Sequence, residues 1–420
     1  MFPSRRWKLI SILLVKFDKI MVMQKRYLVS PKLLSEVSKI LKRLLFTKPR
    51  SVKTTLMDDD SISTETQRLG FNMCRDSIGG VWSEISEADF QIKKLSGGLT
   101  NYLYICSLPP GVRAPDNQPS SVLLRVYGDI ATSSNFVVQN SVIFALLSEK
   151  QLGPKLHGMN PTARIEELVP ANCLSTKDLH DPTLSKMIAE KLALFHTLDM
   201  PLCKEPRFLN DTMDKWLKET KGILMSVHSD QDEHYMRIFR DFNLEQELQT
   251  LKEILSRVES PVVFSHNDLQ EGNILYNRNC PDREKCLTVI DWEYCSYNYR
   301  GYDFGNHFME WCYNYNVTEY PYFSYTEHFY PTREQQYEFF KAYLKASHCD
   351  ADDVTLHKMY IEANTFALAS HSFALASHFL WGLWSILQNE MSTIQFGFLE
   401  YAESRLAGYF AMKKKLGYLT

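Results

Sequence analysis

The sequence predicts an α+β chain in two lobes, a small N-terminal lobe built on an antiparallel sheet and a larger, mostly helical C-terminal lobe. Three observations predict it. Strand-like runs flank a Gly-Gly turn in KLSGGLTNYLYICSL (Lys94–Leu108), and a further strand pattern follows in SVLLRVYG (Ser121–Gly128). From about Asn172 the apolar spacing turns helical, most clearly in IAEKLALFHTL (Ile188–Leu198). Two short apolar strands, PVVFSHND (Pro261–Asp268) and LTVID (Leu287–Asp291), interrupt that helical part and each delivers an acid at its end. At 420 residues the chain can bury a sizeable core as one two-lobed domain or two domains. The expected division is a basic N-terminal extension at 1–60, an N-lobe at 61–170 and a helical C-lobe at 171–420.

The extension differs in charge from the rest. Met1–Met57 holds 14 Lys and Arg against two acids, Asp18 and Glu36, within a chain of net charge −3. The apolar run Leu9–Val15 is far too short to span a bilayer. Leu33, Leu34, Val37, Ile40, Leu41 and Leu44 recur at helical spacing with Lys39, Lys42 and Arg43 among them. The segment reads as a flexible solvated tail, as a basic amphipathic helix for weak contact with an anionic membrane surface, or as an organellar presequence. Asp58–Asp60 closes it as a polar linker.

Residues Thr64 to Phe90 are weakly helical. The Gly97-Gly98 turn would place backbone N–H groups where phosphate oxygens could bind. Pro109–Ser120 reads as a loop, Ser121–Gly128 as a strand carrying Arg125, and Asn135–Lys150 as a helix. His196 reads as a packing residue. The nine cysteines show neither CxxC pairs nor metal-ligand spacing, which fits free thiols in a reducing cytoplasm. Nothing in the charge pattern suggests nucleic acid.

The motif that carries chemistry is FSHNDLQEGN (Phe264–Asn273), followed by VIDWE (Val289–Glu293). His266, Asp268 and Asn273 keep the His-x-Asp-x-x-x-x-Asn spacing of a protein-kinase catalytic loop, and Asp291 ends the next strand, where kinases hold magnesium. Phosphoryl transfer needs one carboxylate for the hydroxyl proton and further oxygen ligands for metal. The lobes are therefore expected to form a protein-kinase-like fold, with Asp268, Asn273 and Asp291 catalytic. His266 is expected to brace the loop through hydrogen bonds.

YCSYNYRGYDFGNHFMEW (Tyr294–Trp311) and FALASHFLWGLWSI (Phe373–Ile386), with LGPKLHG (Leu152–Gly158), YPTREQQ (Tyr330–Gln336) and FGFLEYAESR (Phe396–Arg405), closely resemble choline kinases. The resemblance covers roughly residues 85 to 418. It implies ATP-dependent phosphorylation of choline to phosphocholine, the first step toward phosphatidylcholine, with ethanolamine as a secondary substrate. It also implies Mg²⁺, a dimer of like or related chains and a cytoplasmic setting. By resemblance, Ser96, Gly97, Gly98, Leu99, Thr100, Asn101 and Tyr102 form the ATP loop. Arg125 and Gln270 position phosphates, and the backbone of Glu167, Leu168 and Val169, at the hinge, meets adenine. Asn273 and Asp291 hold metal. Glu293, Tyr294, Glu310, Tyr315, Trp381, Trp384, Phe396 and Tyr401 line the choline pocket beside Asp268. A quaternary ammonium donates no hydrogen bond and must be held by aromatic faces and carboxylates. From spacing alone, Trp381 and Trp384 read as ordinary core residues of a buried helix, and only the resemblance places them in the pocket.

Two departures stand out. The family's helix acid, four residues before Phe144, is Asn140 here, so Arg125 is expected to lack the charge that orients it. The phrase FALASHS (Phe366–Ser372) is repeated as FALASHF (Phe373–Phe379), with the second copy expected in the pocket register. These leave a second reading open, a non-catalytic relative acting as a dimer partner.

Overall fold

The computed structural model of the chain describes residues 62–95, 101–127, 134–364, 373–392, 394–415 and 417. The N-terminal extension, Ser96–Thr100 of the expected ATP loop and the first heptad copy, Phe366–Ser372, lie outside the described residues. The described residues up to Leu168, with Asp199–Leu202, form one compact unit; Val169–Leu198 and the residues from Cys203 onward form a second.

The first unit runs α1 (Thr64–Ser77), β1 (Gln91–Leu95), β2 (Asn101–Ser107), β3 (Ser121–Tyr127), α2 (Ser134–Glu149), β4 (Leu156–Met159) and β5 (Ala163–Glu167). The weakly helical stretch resolves into α1, whose first turn is capped by the Ser63 hydroxyl accepting from Thr66 N, and a single turn at Val81–Glu84. Gly79 and Gly80 separate them at positive φ, a conformation that costs glycine little. The five strands form an antiparallel sheet of order β1-β2-β3-β5-β4. Alternation gives it two unlike faces. Val122 and Leu124 on β3, with Ala163 and Ile165 on β5, join Tyr104, Cys106, Phe71 and Cys74 in an apolar core. The opposite parity carries Arg125, Arg164 and Glu166.

The second unit is mostly helical: α3 (Pro182–His196), α4 (Phe208–Leu224), α5 (Asp230–Asp241), α6 (Leu244–Leu255), α7 (Arg300–Glu310), α8 (Arg333–Ala346), α9 (Asp353–Asn364), α10 (Phe373–Met391) and α11 (Phe398–Lys415). Between α6 and α7 lie the short strands β6 (Val262–Ser265), β7 (Ile274–Tyr276), β8 (Leu287–Val289) and β9 (Ser296–Tyr299). Asp181 caps α3 by accepting from Thr183 N and Leu184 N, with Pro182 in the first turn. Phe379, Leu383 and Ile386 of α10 meet Leu399, Ala402 and Leu406 of α11 in the core, at the three-to-four-residue spacing of packed helix faces. The second heptad copy, Phe373–Phe379, opens α10.

Both strands expected around the motif are present. β6 pairs antiparallel with β9, and β7 with β8. The loop Phe264–Asn273 thus leaves one strand and enters another. α7 follows directly from β9 and is buried over Gly301–Glu310. A Cβ on Gly305 would lie 2.8 Å from Ala374 N, so glycine here lets α7 approach the backbone of α10 closely.

Candidate active site

The motif loop is held by backbone and buried side chains. Asp303, on α7, accepts from His266 N (2.8 Å) and His196 Nε2 (3.0 Å) through Oδ2, and from Asn267 N (2.6 Å) through Oδ1. One turn on, His307 Nδ1 meets Leu269 O at 2.9 Å, while its Nε2 accepts from Trp311 Nε1. His266 Nδ1 accepts from Asp268 N (3.2 Å), so its Nε2 is the donor to Ile290 O (3.0 Å). Thus His266 braces the loop as expected and also ties it to the strand end carrying Asp291. Asn267 sits at φ 68° and donates from Nδ2 to Tyr294 O and Ser296 Oγ, both at 2.8 Å. Asp291 is likewise left-handed, at φ 63°. Burial holds His266 and His307 below the ordinary imidazole range, His307 at about 4.

Asn273 gives both amide hydrogens to Asp268, to its carbonyl at 2.8 Å and its Oδ2 at 2.9 Å. Burial pushes the Asp268 carboxyl well above its usual range, and the charges of Glu310, Asp291 and Glu293 push the same way. Glu310, Asp291 and Glu293 therefore lie within electrostatic reach of Asp268. Gln270 caps the short turn Glu271–Asn273 by accepting from Gly272 N at 2.7 Å.

The expected substrate-binding aromatics also come together. Trp381 and Trp384 pack edge to face with centroids 5.7 Å apart, and Tyr294 stands 5.4 Å from Trp381. Trp384 Nε1 donates to Tyr294 OH at 3.1 Å. Phe396 and Tyr315 lie 5.6 and 6.0 Å from Tyr401. Glu310 is buried: its Oε2 accepts from Tyr315 OH at 2.8 Å and its Oε1 from Arg405 Nη2.

In the first unit, Asn101 and Tyr102 open β2, and Arg125 is buried on β3. Glu167 ends β5, its N–H donating to Lys155 O at 2.8 Å, followed by Leu168; Val169 belongs to the second unit. The expectation that Arg125 lacks an orienting acid is corrected. Glu166 Oε1 accepts from Arg125 Nε at 3.0 Å, so the carboxylate comes from the neighbouring strand instead of from residue 140.

Sequence reasoning missed Asp303, Asn306, His307, Arg405 and Trp216. The first three share one face of α7 with Glu310, and their polar spacing inside an aromatic- and glycine-rich helix was the available signal. Asn306 Oδ1 accepts from Trp381 Nε1 at 2.7 Å and from Ser377 Oγ at 2.8 Å, fixing the tryptophan. Arg405 lies 3.8 Å over the Tyr313 ring and donates from Nε to Tyr401 OH at 2.8 Å. Trp216, on α4, stands 6.5 Å from Trp381. Nothing in their local sequence distinguishes Arg405 or Trp216 from other helix residues.

Residues 92–410 match the family model described as choline/ethanolamine kinase. A rat protein named choline/ethanolamine kinase is 43% identical over 356 residues, covering 85% of this chain and 89% of the relative. A mouse protein named choline kinase alpha is 40% identical over 379 residues, covering 86% and 83%. Among solved structures, a choline kinase from Cryptosporidium parvum superposes with a TM-score of 0.66 at 26% identity, covering 83% of this chain and 96% of that one. An ethanolamine kinase from Plasmodium vivax does so with 0.69 at 21% identity, covering 91% and 96%. The protein-kinase-like fold predicted from the sequence is the fold of these neighbours.

The buried histidine makes a pH prediction. His307 takes a proton at about 6.5 when unfolded but at about 4 when folded, so the stability it allows is present above pH 6.5 and is lost as pH falls toward 4. His307→Gln should remove roughly 2–3 kcal/mol of the loss in unfolding free energy between pH 7 and 4.5, measured by urea titration at both values. Equal losses in variant and wild type would contradict this account of His307.

Proposed function

The chain belongs to the choline/ethanolamine kinase family, and from that premise we propose that it transfers the γ-phosphoryl group of ATP to choline, forming phosphocholine and ADP. One observation carries the reading: Asn267, next to Asp268 in the loop, donates to Tyr294 O at 2.8 Å, and Tyr294 stands 5.4 Å from Trp381 and accepts from Trp384 Nε1 at 3.1 Å, so the loop acid and the aromatic cluster are joined. A hydroxyl delivered to Asp268 therefore belongs to a small molecule whose other end reaches the aromatic cluster. Choline, with two carbons between hydroxyl and quaternary ammonium, has that shape. The faces of Trp381, Trp384, Tyr294 and Tyr401 suit a methylated cation. Ethanolamine is assigned as a secondary substrate.

In this mechanism Asp268 accepts the hydroxyl proton as the choline oxygen attacks the γ-phosphorus in line and the bond to ADP breaks. Arg125, Gln270 and Ser96–Tyr102 are assigned to the phosphates, and the backbone at Glu167–Val169 to adenine. Magnesium is assigned to Asn273 and Asp291. The donor chemistry fits: both Asn273 amide hydrogens are taken by Asp268, so its carbonyl oxygen is what it offers, and repulsion among the neighbouring acids favours a dication. Among the described residues no group of three or more His, Cys, Asp or Glu could hold a metal alone, which suits an ion that takes further ligands from phosphate and water. When bound, the ion neutralises phosphate charge.

The free cysteines support a cytoplasmic setting, and no helix among the described residues is long and apolar enough to cross a membrane. A dimer, membrane-surface contact by the basic tail and a role in phosphatidylcholine synthesis are carried over as proposals. Glu166 beside Arg125 speaks against one of the two grounds for a non-catalytic reading, the missing acid at residue 140; the other, the duplicated heptad, has its first copy outside the described residues.

Asp268→Ala should lower kcat by at least about 100-fold while leaving ATP binding by titration within about twofold. Unchanged turnover would remove Asp268 from its role. Trp384→Ala should raise KM for choline about tenfold or more and leave KM for ATP nearly unchanged. A matched loss for both substrates would contradict a choline pocket at Trp384.

A further inference from the structure

We propose that Glu166 is the positioning residue for Arg125, supplying from strand β5 the carboxylate that the sequence resemblance led us to expect at position 140 of helix α2. The proposal rests on the reading of Arg125 as a ligand of the nucleotide phosphates. In the β3–β5 ladder Arg125 stands directly opposite Arg164. Two guanidiniums facing each other across a ladder repel, and both are buried, Arg125 at 5% and Arg164 at 7% exposure. Glu166, two residues along β5 from Arg164 and so on the same face, is 2% exposed. It resolves the repulsion by bridging the pair. Its Oε1 accepts from Arg125 Nε at 3.0 Å, and its Oε2 from Arg164 Nε at 3.2 Å.

The geometry suits positioning. The Glu166 contact uses Nε of Arg125, not the forked Nη pair with which a guanidinium grips phosphate. Arg164 is fixed in turn, its Cζ 4.2 Å over the Phe144 ring. Helix α2 therefore enters the brace through Phe144, the residue four positions after Asn140, and it does so through an aromatic face. The two guanidiniums hold the Glu166 carboxyl below its usual range despite burial, so the bridge stays charged.

The test is ATP titration of the full chain without acceptor, alongside choline titration followed by tryptophan fluorescence. Glu166→Gln should weaken ATP about tenfold or more and leave choline within about twofold. Glu166→Asp, which keeps the charge and the fold, should show the same selectivity at smaller size. Adding Glu166→Gln to Arg125→Lys should weaken ATP less than about twofold further, because both act through one group. Asn140→Glu should leave ATP affinity and turnover within about twofold, since Arg125 already has its carboxylate. Parallel loss of ATP and choline, losses that multiply in the double variant, or a tenfold gain from Asn140→Glu would each overturn the proposal. A wild-type chain that binds ATP but phosphorylates no choline would overturn the functional reading and leave this one standing. A chain that binds no ATP would overturn both.

Discussion

The polar stripe of helix α7 is the constraint on which the rest of the site depends. Asp303, Asn306, His307 and Glu310 recur at i, i+3, i+4 and i+7, so they share one face of a helix that is buried all round. A buried polar group left unpaired costs about 1–3 kcal/mol; all four side chains make hydrogen bonds, and among their side-chain polar atoms Asn306 Nδ2 is buried without a partner. Asp303 and His307 hold the motif loop by its backbone, at His266, Asn267 and Leu269. Asn306 holds Trp381, and Glu310 takes the Tyr315 hydroxyl and Arg405. One element thus holds both the motif loop that carries Asp268 and the ring of Trp381. Preorganisation of this kind lets a small substrate react without the site reorganising.

The electrostatics divide along the same helix. On the loop side, Asp268 has acids for neighbours, an arrangement that is costly alone and suited to a dication arriving with phosphates. On the pocket side, Glu310 already has a buried countercharge in Arg405, which is itself stacked on Tyr313. Removing either partner would strand a buried charge, a loss of roughly 3–5 kcal/mol. Glu310 is thereby anchored in place, and the proposed binding of a cation rests on the aromatic faces. In the first unit the same economy recurs, with Glu166 shared between two arginines.

Much of this was legible in the sequence. The strand patterns around HNDLQEGN and VID gave β6 and β8, and the motif spacing placed Asp268 and Asn273 within hydrogen-bonding distance. Trp381 and Trp384 share a helical face, but spacing alone left them ordinary core residues, and only the family resemblance singled them out. The pairings that cross the fold were not legible. Asp303 lies 37 residues from His266 and Arg405 lies 95 from Glu310, and no local pattern announces such partners. Glu166 was overlooked for a related reason: the expected acid was sought on a helix, at residue 140, whereas strand register brought one from the adjacent strand. The duplicated heptad was legible as a repeat, and its second copy opens α10.

The measurement that tests the central claim most directly is Mg·ATP-dependent phosphorylation of choline and ethanolamine, side by side, by the purified full-length chain. An intact loop on α7 and an aromatic pocket beside it predict turnover of both, with choline the better substrate in kcat/KM. Turnover of neither, with ATP and choline still binding, would contradict the account.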